Sequence, residues 1–225
     1  VTDRAATRFP RGSGEHVLQV LNPAPIRVHF LRVQLTDGTS AQFTSADSLI
    51  SSAWKWLPVN ALEASVRPSA FVTDQDLTQQ SGVIGLLSDL YAVRALEGAT
   101  DQYYHGIMPL IPGLAVAGMA YVPSSPESSA RVAVSYDHPS LAHETVAHEL
   151  AHNLGRSHSP CGDPSGLDPD FPYYDGRIGV PGYDLTDRLI RSSQEHFDYM
   201  SYCRPRWTSD YTYRAIMEWR DLDPF

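Results

Sequence analysis

The chain has 225 residues, enough for one compact domain, and its 42% hydrophobic and 19% charged residues are the composition of a globular protein, not a disordered one. With 26 acidic residues against 17 basic ones, a net charge of −9 and no cluster of Lys and Arg, nucleic acid is not an expected partner. No run approaches the ~20 apolar residues of a membrane helix, and the most apolar stretch, Ile107 to Val122, is broken by Pro109, Pro112, Gly113 and Gly118, so no membrane span is expected.

Taken in chain order, Ile26 to Leu35 alternates apolar and polar residues up to the turn signal Asp37-Gly38 and reads as a strand. Ser45 to Leu57 places Leu49, Ile50, Ala53, Trp54 and Leu57 at helical spacing before Pro58, and Asp76 to Glu97 carries a longer apolar stripe that stops at Gly98. Both are expected to be helices packed on a sheet. Tyr103 to Leu110, Leu114 to Val122 and Ala130 to Tyr136 are short, apolar and separated by turn formers, which predicts three more strands. Leu141 to Asn153 follows with no Gly or Pro, Ser140 standing at its expected N-cap and Gly155 at its C-terminal stop. Ser159 to Gly182 is rich in Pro and Gly and predicts an irregular segment. A last helix is expected from about Tyr211 to Trp219.

The helix from Leu141 leads into His148-Glu149-Leu150-Ala151-His152-Asn153-Leu154-Gly155-Arg156-Ser157-His158. Residues four apart return to nearly the same helix face, so His148 and His152 can offer two imidazoles to one cation. Glu149 flanks that face, where a carboxylate can take a proton from water without joining the ligand set. His158 lies six residues past His152, too far to stay on the same face unless the chain turns. Gly155 can supply the turn, because glycine adopts the left-handed conformation at negligible steric cost. Three neutral imidazoles leave one tetrahedral position open, the mark of a catalytic zinc site.

Downstream runs Phe197-Asp198-Tyr199-Met200-Ser201-Tyr202-Cys203. The pattern HExxHxxGxxH followed some forty residues later by a methionine-bearing turn resembles the metzincin clan of zinc peptidases. The resemblance implies an α/β (α+β) fold. An upper lobe, residues 1–158, would have a twisted, mostly parallel sheet with an antiparallel edge strand and packed helices; an irregular lower lobe, residues 159–225, would carry the methionine turn and the C-terminal helix. Residues 1–225 would form a single catalytic domain. By the same resemblance Met200 is the hydrophobic base beneath the zinc, and Tyr202 matches the position from which astacin-like and serralysin-like members bring a phenol to the metal. A packing tyrosine is the competing reading. The segment Gly113 to Val122 resembles the edge strand along which substrates lie extended.

The two cysteines, Cys161 and Cys203, fit either one bridge in an oxidising compartment or two buried thiols. If the segments they follow, after His158 and after Met200, meet under one metal as the resemblance implies, the cysteines are neighbours and a disulfide is expected. His16, His29, His105, His138, His143 and His196 lack partner spacing and are expected to be ordinary histidines. Asp163, Asp168, Asp170, Asp175, Asp184 and Asp187 gather in the irregular segment and raise Ca2+ as an additional cofactor beside Zn2+, although loop aspartates commonly cap turns.

The segment after His158 and the YMSYC turn are similar to those of secreted bacterial enzymes, some of which act on glycoproteins. The expected function is a secreted, monomeric zinc endopeptidase acting on extracellular proteins or glycoproteins, its signal peptide and pro-segment lying outside this sequence. Two alternatives stay open: a zinc hydrolase of peptidoglycan or another non-protein substrate, and a catalytically idle zinc-bearing binding module.

Overall fold

A computed structural model describes residues 23–221. The first strand, β1, spans Ile26–Leu35 as its alternation predicts. Its even residues Ile26, Val28 and Phe30 enter one buried cluster and its odd residues Leu31 and Val33 another, so the strand has helices on both faces. That is why its buried positions run together at Phe30 and Leu31.

Around β1 lies a six-stranded sheet in the order β2-β1-β4-β6-β5, with β3 also paired to β1. The other strands are β2 (Leu62–Val66), β3 (Phe71–Thr73), β4 (Gln102–Met108), β5 (Gly118–Ala120) and β6 (Val132–Tyr136). All neighbours run parallel except β5, which is antiparallel to β6 and forms one edge. The fold is therefore the α/β, mostly parallel architecture with an antiparallel edge strand that the sequence resemblance implies. The expected strand Leu114–Val122 shrinks to three residues, its pairing confined to the stretch opposite Ala133–Ser135.

The helix expected over Ser45–Leu57 is instead two short turns, α1 (Ala46–Leu49) and α2 (Ala53–Trp56). Serine chemistry accounts for the break. Ser48 Oγ donates to Ser45 O and Ser51 Oγ to Ser48 O, drawing on carbonyls that a continuous helix uses for backbone N–H groups. The next helix, α3, begins at Gln80 instead of Asp76 and ends at Leu96. Asp76 closes the preceding turn, its carboxylate accepting from Thr78 N and Thr78 Oγ1.

Helix α4 spans Ala142–Asn153. Its N-cap is Leu141, without a side-chain cap bond, and not Ser140, whose N and Oγ lie against His138 Nδ1. All but two of the residues of α4 are buried, since α1 and α2, the sheet and the later segments surround it. Leu86 and Leu90 of α3 fill the cluster on the opposite face of the sheet. Burying each such leucine contributes about 1.5–3 kcal/mol.

After α4 regular structure thins. A hairpin pairs β7 (Gly182–Asp184) with β8 (Leu189–Arg191), and a parallel pair joins β9 (Phe197–Asp198) to β10 (Arg206–Trp207). The last helix, α5, spans Asp210–Trp219, with Ser209 Oγ accepting from Thr212 N at its N-cap.

Candidate metal centre

Helix α4 presents His148 and His152 one turn apart, their ring centroids 4.8 Å from each other. Gly155 then takes φ +76°, and a Cβ there would meet the Trp219 ring at 2.5 Å, so both its conformation and its contact with α5 favour glycine. The chain returns through a short strand-like arm: His158 N donates to Gly166 O at 3.2 Å, Asp168 N donates to His158 O at 2.8 Å, and Arg156 pairs with Asp168 at 2.5 Å. This brings His158 to the other two.

Each imidazole is oriented by a backbone carbonyl. His148 Nδ1 lies 2.8 Å from Tyr199 O, His152 Nδ1 2.6 Å from Arg156 O, and His158 Nδ1 2.6 Å from Ser165 O. Since a carbonyl only accepts, every Nδ1 carries the proton and every Nε2 presents a lone pair. Those Nε2 atoms converge, His158 Nε2 lying 3.1 Å from His152 Nε2 and 3.2 Å from His148 Nε2. Three lone pairs turned on one another repel unless a cation sits among them. Zinc–nitrogen bonds of ~2.0–2.1 Å in a tetrahedron place nitrogens roughly 3.3 Å apart, and imidazole nitrogen is a preferred zinc donor, so these residues fit the ion. Burial holds His148 well below the usual histidine range, moves His152 to about 4 and lowers His158, so all three are in the neutral, ligating form at neutral pH.

Glu149 sits beside them against the edge strand. A Cβ on Gly118 would fall 2.5 Å from Glu149 Oε1, so glycine at that position lets the carboxylate reach the open edge of β5. Burial pushes the Glu149 carboxyl up to about 8. A cleft of about 390 Å³ opens here, lined by Val116, Gly118, Thr145, His148 and Glu149 among others.

The segment beyond Asp198 closes the site from the other side. Met200 is buried in the same cluster as Val146 and Leu150 of α4, and Ser159 N donates to Met200 O at 3.2 Å, joining the residue after His158 to the methionine turn. Cys161 and Cys203 are disulfide-bonded, with Cα atoms 5.7 Å apart, as expected if these segments meet. Tyr202 Oη lies 3.4 Å from His158 Nε2, and the side chain is about half exposed at the cleft rim.

Three residues that the sequence reading does not single out position the site. Asp198 is fully buried, and its carboxylate accepts from Met200 N at 2.8 Å, Ser209 N at 2.9 Å and Ser159 Oγ at 3.3 Å, tying the methionine turn to the His158 arm and to the cap of α5. Asn153 Nδ2 donates to Tyr121 O and Val132 O, fixing the end of α4 to the sheet. Arg206 lines the cleft. Each also meets a partner distant in sequence, Ser159 for Asp198, Tyr121 and Val132 for Asn153 and Glu144 for Arg206, which no local spacing announces.

The histidines outside the motif take ordinary partners: His143 meets Ser52, His105 meets Ser135 and His29 meets Ser65, each at 2.7–2.8 Å; His16 lies outside the described residues. Four of the six aspartates raised for calcium face arginines. Asp168 pairs with Arg156, Asp184 and Asp187 with Arg191, and Asp175 with Arg177. Among the described residues the histidine trio is the only group of three or more His, Cys, Asp or Glu side chains close enough to share a metal.

The sequence pattern described as "Metallo-peptidase family M12B Reprolysin-like" matches residues 69–159, from the approach to β3 through α4 and the third histidine. No curated protein matches the chain. Among solved structures, metalloproteinase-II from Bacteroides fragilis is similar at 16% identity with a TM-score of 0.47, over 66% of this chain and 47% of that one. A structure titled as a chaperone-substrate complex is similar at 13% identity with a TM-score of 0.40, over 91% of this chain and 35% of that one. This chain thus spans less than half the length of either, and overlaps this loose say nothing of activity. On the pattern match and the histidine cluster, the chain resembles the metzincin zinc peptidases, with a reprolysin-like segment at its centre and a metzincin-like fold around it.

Proposed function

We propose that this protein is a secreted zinc-dependent endopeptidase that hydrolyses internal peptide bonds of extracellular proteins or glycoproteins, residues 1–225 acting as one catalytic domain and as a monomer. The observation that carries this reading is the convergence of three proton-free Nε2 atoms, those of His148 and His152 each within 3.2 Å of that of His158, beside a buried glutamate at an open sheet edge. In it His148, His152 and His158 hold Zn2+. Bound there, the ion would supply Lewis-acid activation of water and polarisation of the scissile carbonyl.

The chain's own residues supply the rest. Glu149, which burial alone raises to about 8 and which a cation held by the three imidazoles would draw back to its ionised form, accepts the proton lost by the attacking water and passes it to the leaving amine, the task of a general base at the scissile bond. Glu149 is buried beside Gly118 yet lines the cleft in both of its halves. The free edge of β5 offers backbone N–H and C=O groups to an extended peptide, whose main-chain pairing is indifferent to sequence. Tyr202, with its hydroxyl at the rim beside His158, is placed to donate to the developing oxyanion. Met200 closes the apolar floor. The disulfide and the absence, among the described residues, of a helix long and apolar enough to cross a membrane are compatible with export.

Mapping of products from a mixed panel of proteins and glycoproteins by mass spectrometry tests this reading. The zinc-loaded protein should cut internal peptide bonds, and Glu149→Ala, which keeps all three histidines, should bind zinc equally while losing roughly 100- to 10,000-fold in rate. Full zinc occupancy with no cut by either protein would overturn it and bring forward a non-protein substrate or a binding role.

A further inference from the structure

The cleft divides around Glu149 and Tyr202 into two halves that share Val116 and Gly118, and the halves differ in charge. The half beside His152 and His158, about 380 Å³, is otherwise lined by groups such as Gln80, Met119, Ala120, Ser157 and Ser165, with neither arginine nor lysine. The half beside His148, about 390 Å³, has Arg206 in its wall together with Thr145 and Ala117. A peptide laid along β5 across Glu149 therefore meets a neutral pocket on one side of the scissile bond and a guanidinium on the other.

Arg206 is only loosely paired where it stands. Its Nε donates to Cys203 O at 3.3 Å, and Nη1 lies 3.7 Å from Glu144 Oε2, beyond hydrogen-bond distance. Arg204 meets that same Glu144 oxygen directly. Two guanidiniums thus share the Glu144 carboxylate, and the more weakly held of the two is Arg206. The Arg204 side chain is 44% exposed, whereas that of Arg206 is mostly buried and lines the cleft. The charge that a ligand would feel is that of Arg206. Glu149 and Tyr202 are the other ionisable neighbours on this wall, and Arg206 acts on both through space. A mostly buried guanidinium binds a carboxylate with charge-assisted, paired hydrogen bonds that a surface pair does not match.

We propose that Arg206 makes the His148 half of the cleft a subsite for an acidic side chain, so that the preferred peptide bonds are flanked on that side by Glu or Asp. This rests on the endopeptidase reading above. The net charge of −9 repels acidic peptides at long range, so the preference arises at contact and is read in specificity, not in encounter rate.

The test uses peptides that differ only by Glu or Gln at one position, walked along both sides of the cut bond. At one position the zinc-loaded protein should show a kcat/KM ratio of Glu over Gln of roughly 10- to 100-fold, as charge-assisted hydrogen bonds allow. Arg206→Met should bring the ratio close to one, Arg206→Lys should retain much of it, and Arg206→Glu should turn the preference to Lys. A ratio near one at every position, or an Arg206→Met variant that slows both peptides equally, would reduce Arg206 to a tie between Cys203 and Glu144 and overturn the proposal. Fluorescence anisotropy of the same labelled peptides on zinc-loaded Glu149→Ala, with and without Arg206→Met, separates the two readings. If the wild-type protein cuts no peptide but Glu149→Ala still prefers Glu over Gln and loses that preference with Arg206→Met, the endopeptidase reading falls and acidic recognition stands. If the binding preference is absent too, acidic recognition falls.

Discussion

The part of the chain that ends with α4 and the part that follows Gly155 position the same three histidines by different means. His148 and His152 stand on a helix surrounded by apolar contacts, with the sheet behind it and Val146, Leu150 and Leu154 buried around it. Their separation is set by the helical repeat, which the helix holds whether or not a ligand is present. His158, the methionine turn and Tyr202 stand on chain with few regular elements, held by one disulfide, one buried carboxylate and single backbone hydrogen bonds. Precision in the first part comes from packing spread over many residues, and in the second from a few ties that each matter. The two parts should therefore fail differently.

The largest expected difference is at the disulfide. Cys161 and Cys203 are 42 residues apart in sequence, and closing a loop of that length contributes about 4 kcal/mol in the chain-entropy account. In the Cys161→Ser/Cys203→Ser double variant, urea unfolding should show a loss of that order, and zinc competition should show affinity falling as the His158 arm loosens. Far-UV circular dichroism should meanwhile keep the helical signal of α3 and α4. Loss of that signal together with zinc binding at the same urea concentration would erase the contrast between the two parts.

Asp198 comes next. Replacing it by Ala leaves Met200 N, Ser209 N and Ser159 Oγ without their shared acceptor in a buried place, at a cost of about 3 kcal/mol. Because Ser159 adjoins His158 and Tyr199 O orients His148, zinc affinity should fall as well. Asp198→Asn keeps one oxygen and should lose less in both unfolding and zinc titrations. Equal stability of Ala, Asn and wild-type proteins would show that the turn is held by packing alone.

What the sequence discloses follows the same division. β1 and the motif helix were legible because their periodicity is local and their burial strong. So was the disulfide, once the resemblance brought the two cysteines to one place. β2 and β3 were not, since they form one largely exposed edge of the sheet interrupted at Pro68, where no N–H exists to continue the ladder. The break between α1 and α2 depends on which carbonyl a serine hydroxyl selects, and periodicity does not encode that choice. The strands β7 to β10 are pairings of two or three residues, too short to leave a pattern. Of the candidate site, the histidines and Glu149 are legible as spacing, whereas Asp198, Asn153 and Arg206 depend on partners brought near only by the completed fold.

The smallest effect lies in the sheet, where His105 is fully enclosed and donates to or accepts from Ser135 Oγ at 2.8 Å. Burial lowers its pKa from 6.5 to about 3. A lowered histidine pKa means that the unfolded chain binds the proton first, so stability is full above about pH 6.5 and is lost as the pH falls toward 3. For one such group the loss between pH 7.5 and pH 5 is about 2 kcal/mol. His105→Gln keeps a polar partner for Ser135 but cannot titrate. The two proteins share every other titrating group, including His148 and His152, so those cancel in the difference. Unfolding free energies measured at both pH values should therefore show the advantage of wild type over His105→Gln falling by about 2 kcal/mol on acidification, with no change in helix content. A difference that stays constant would mean that His105 is hydrated or already charged in the native state. The sheet would then lack the dry interior that makes its half of the site independent of the polar ties on the other side.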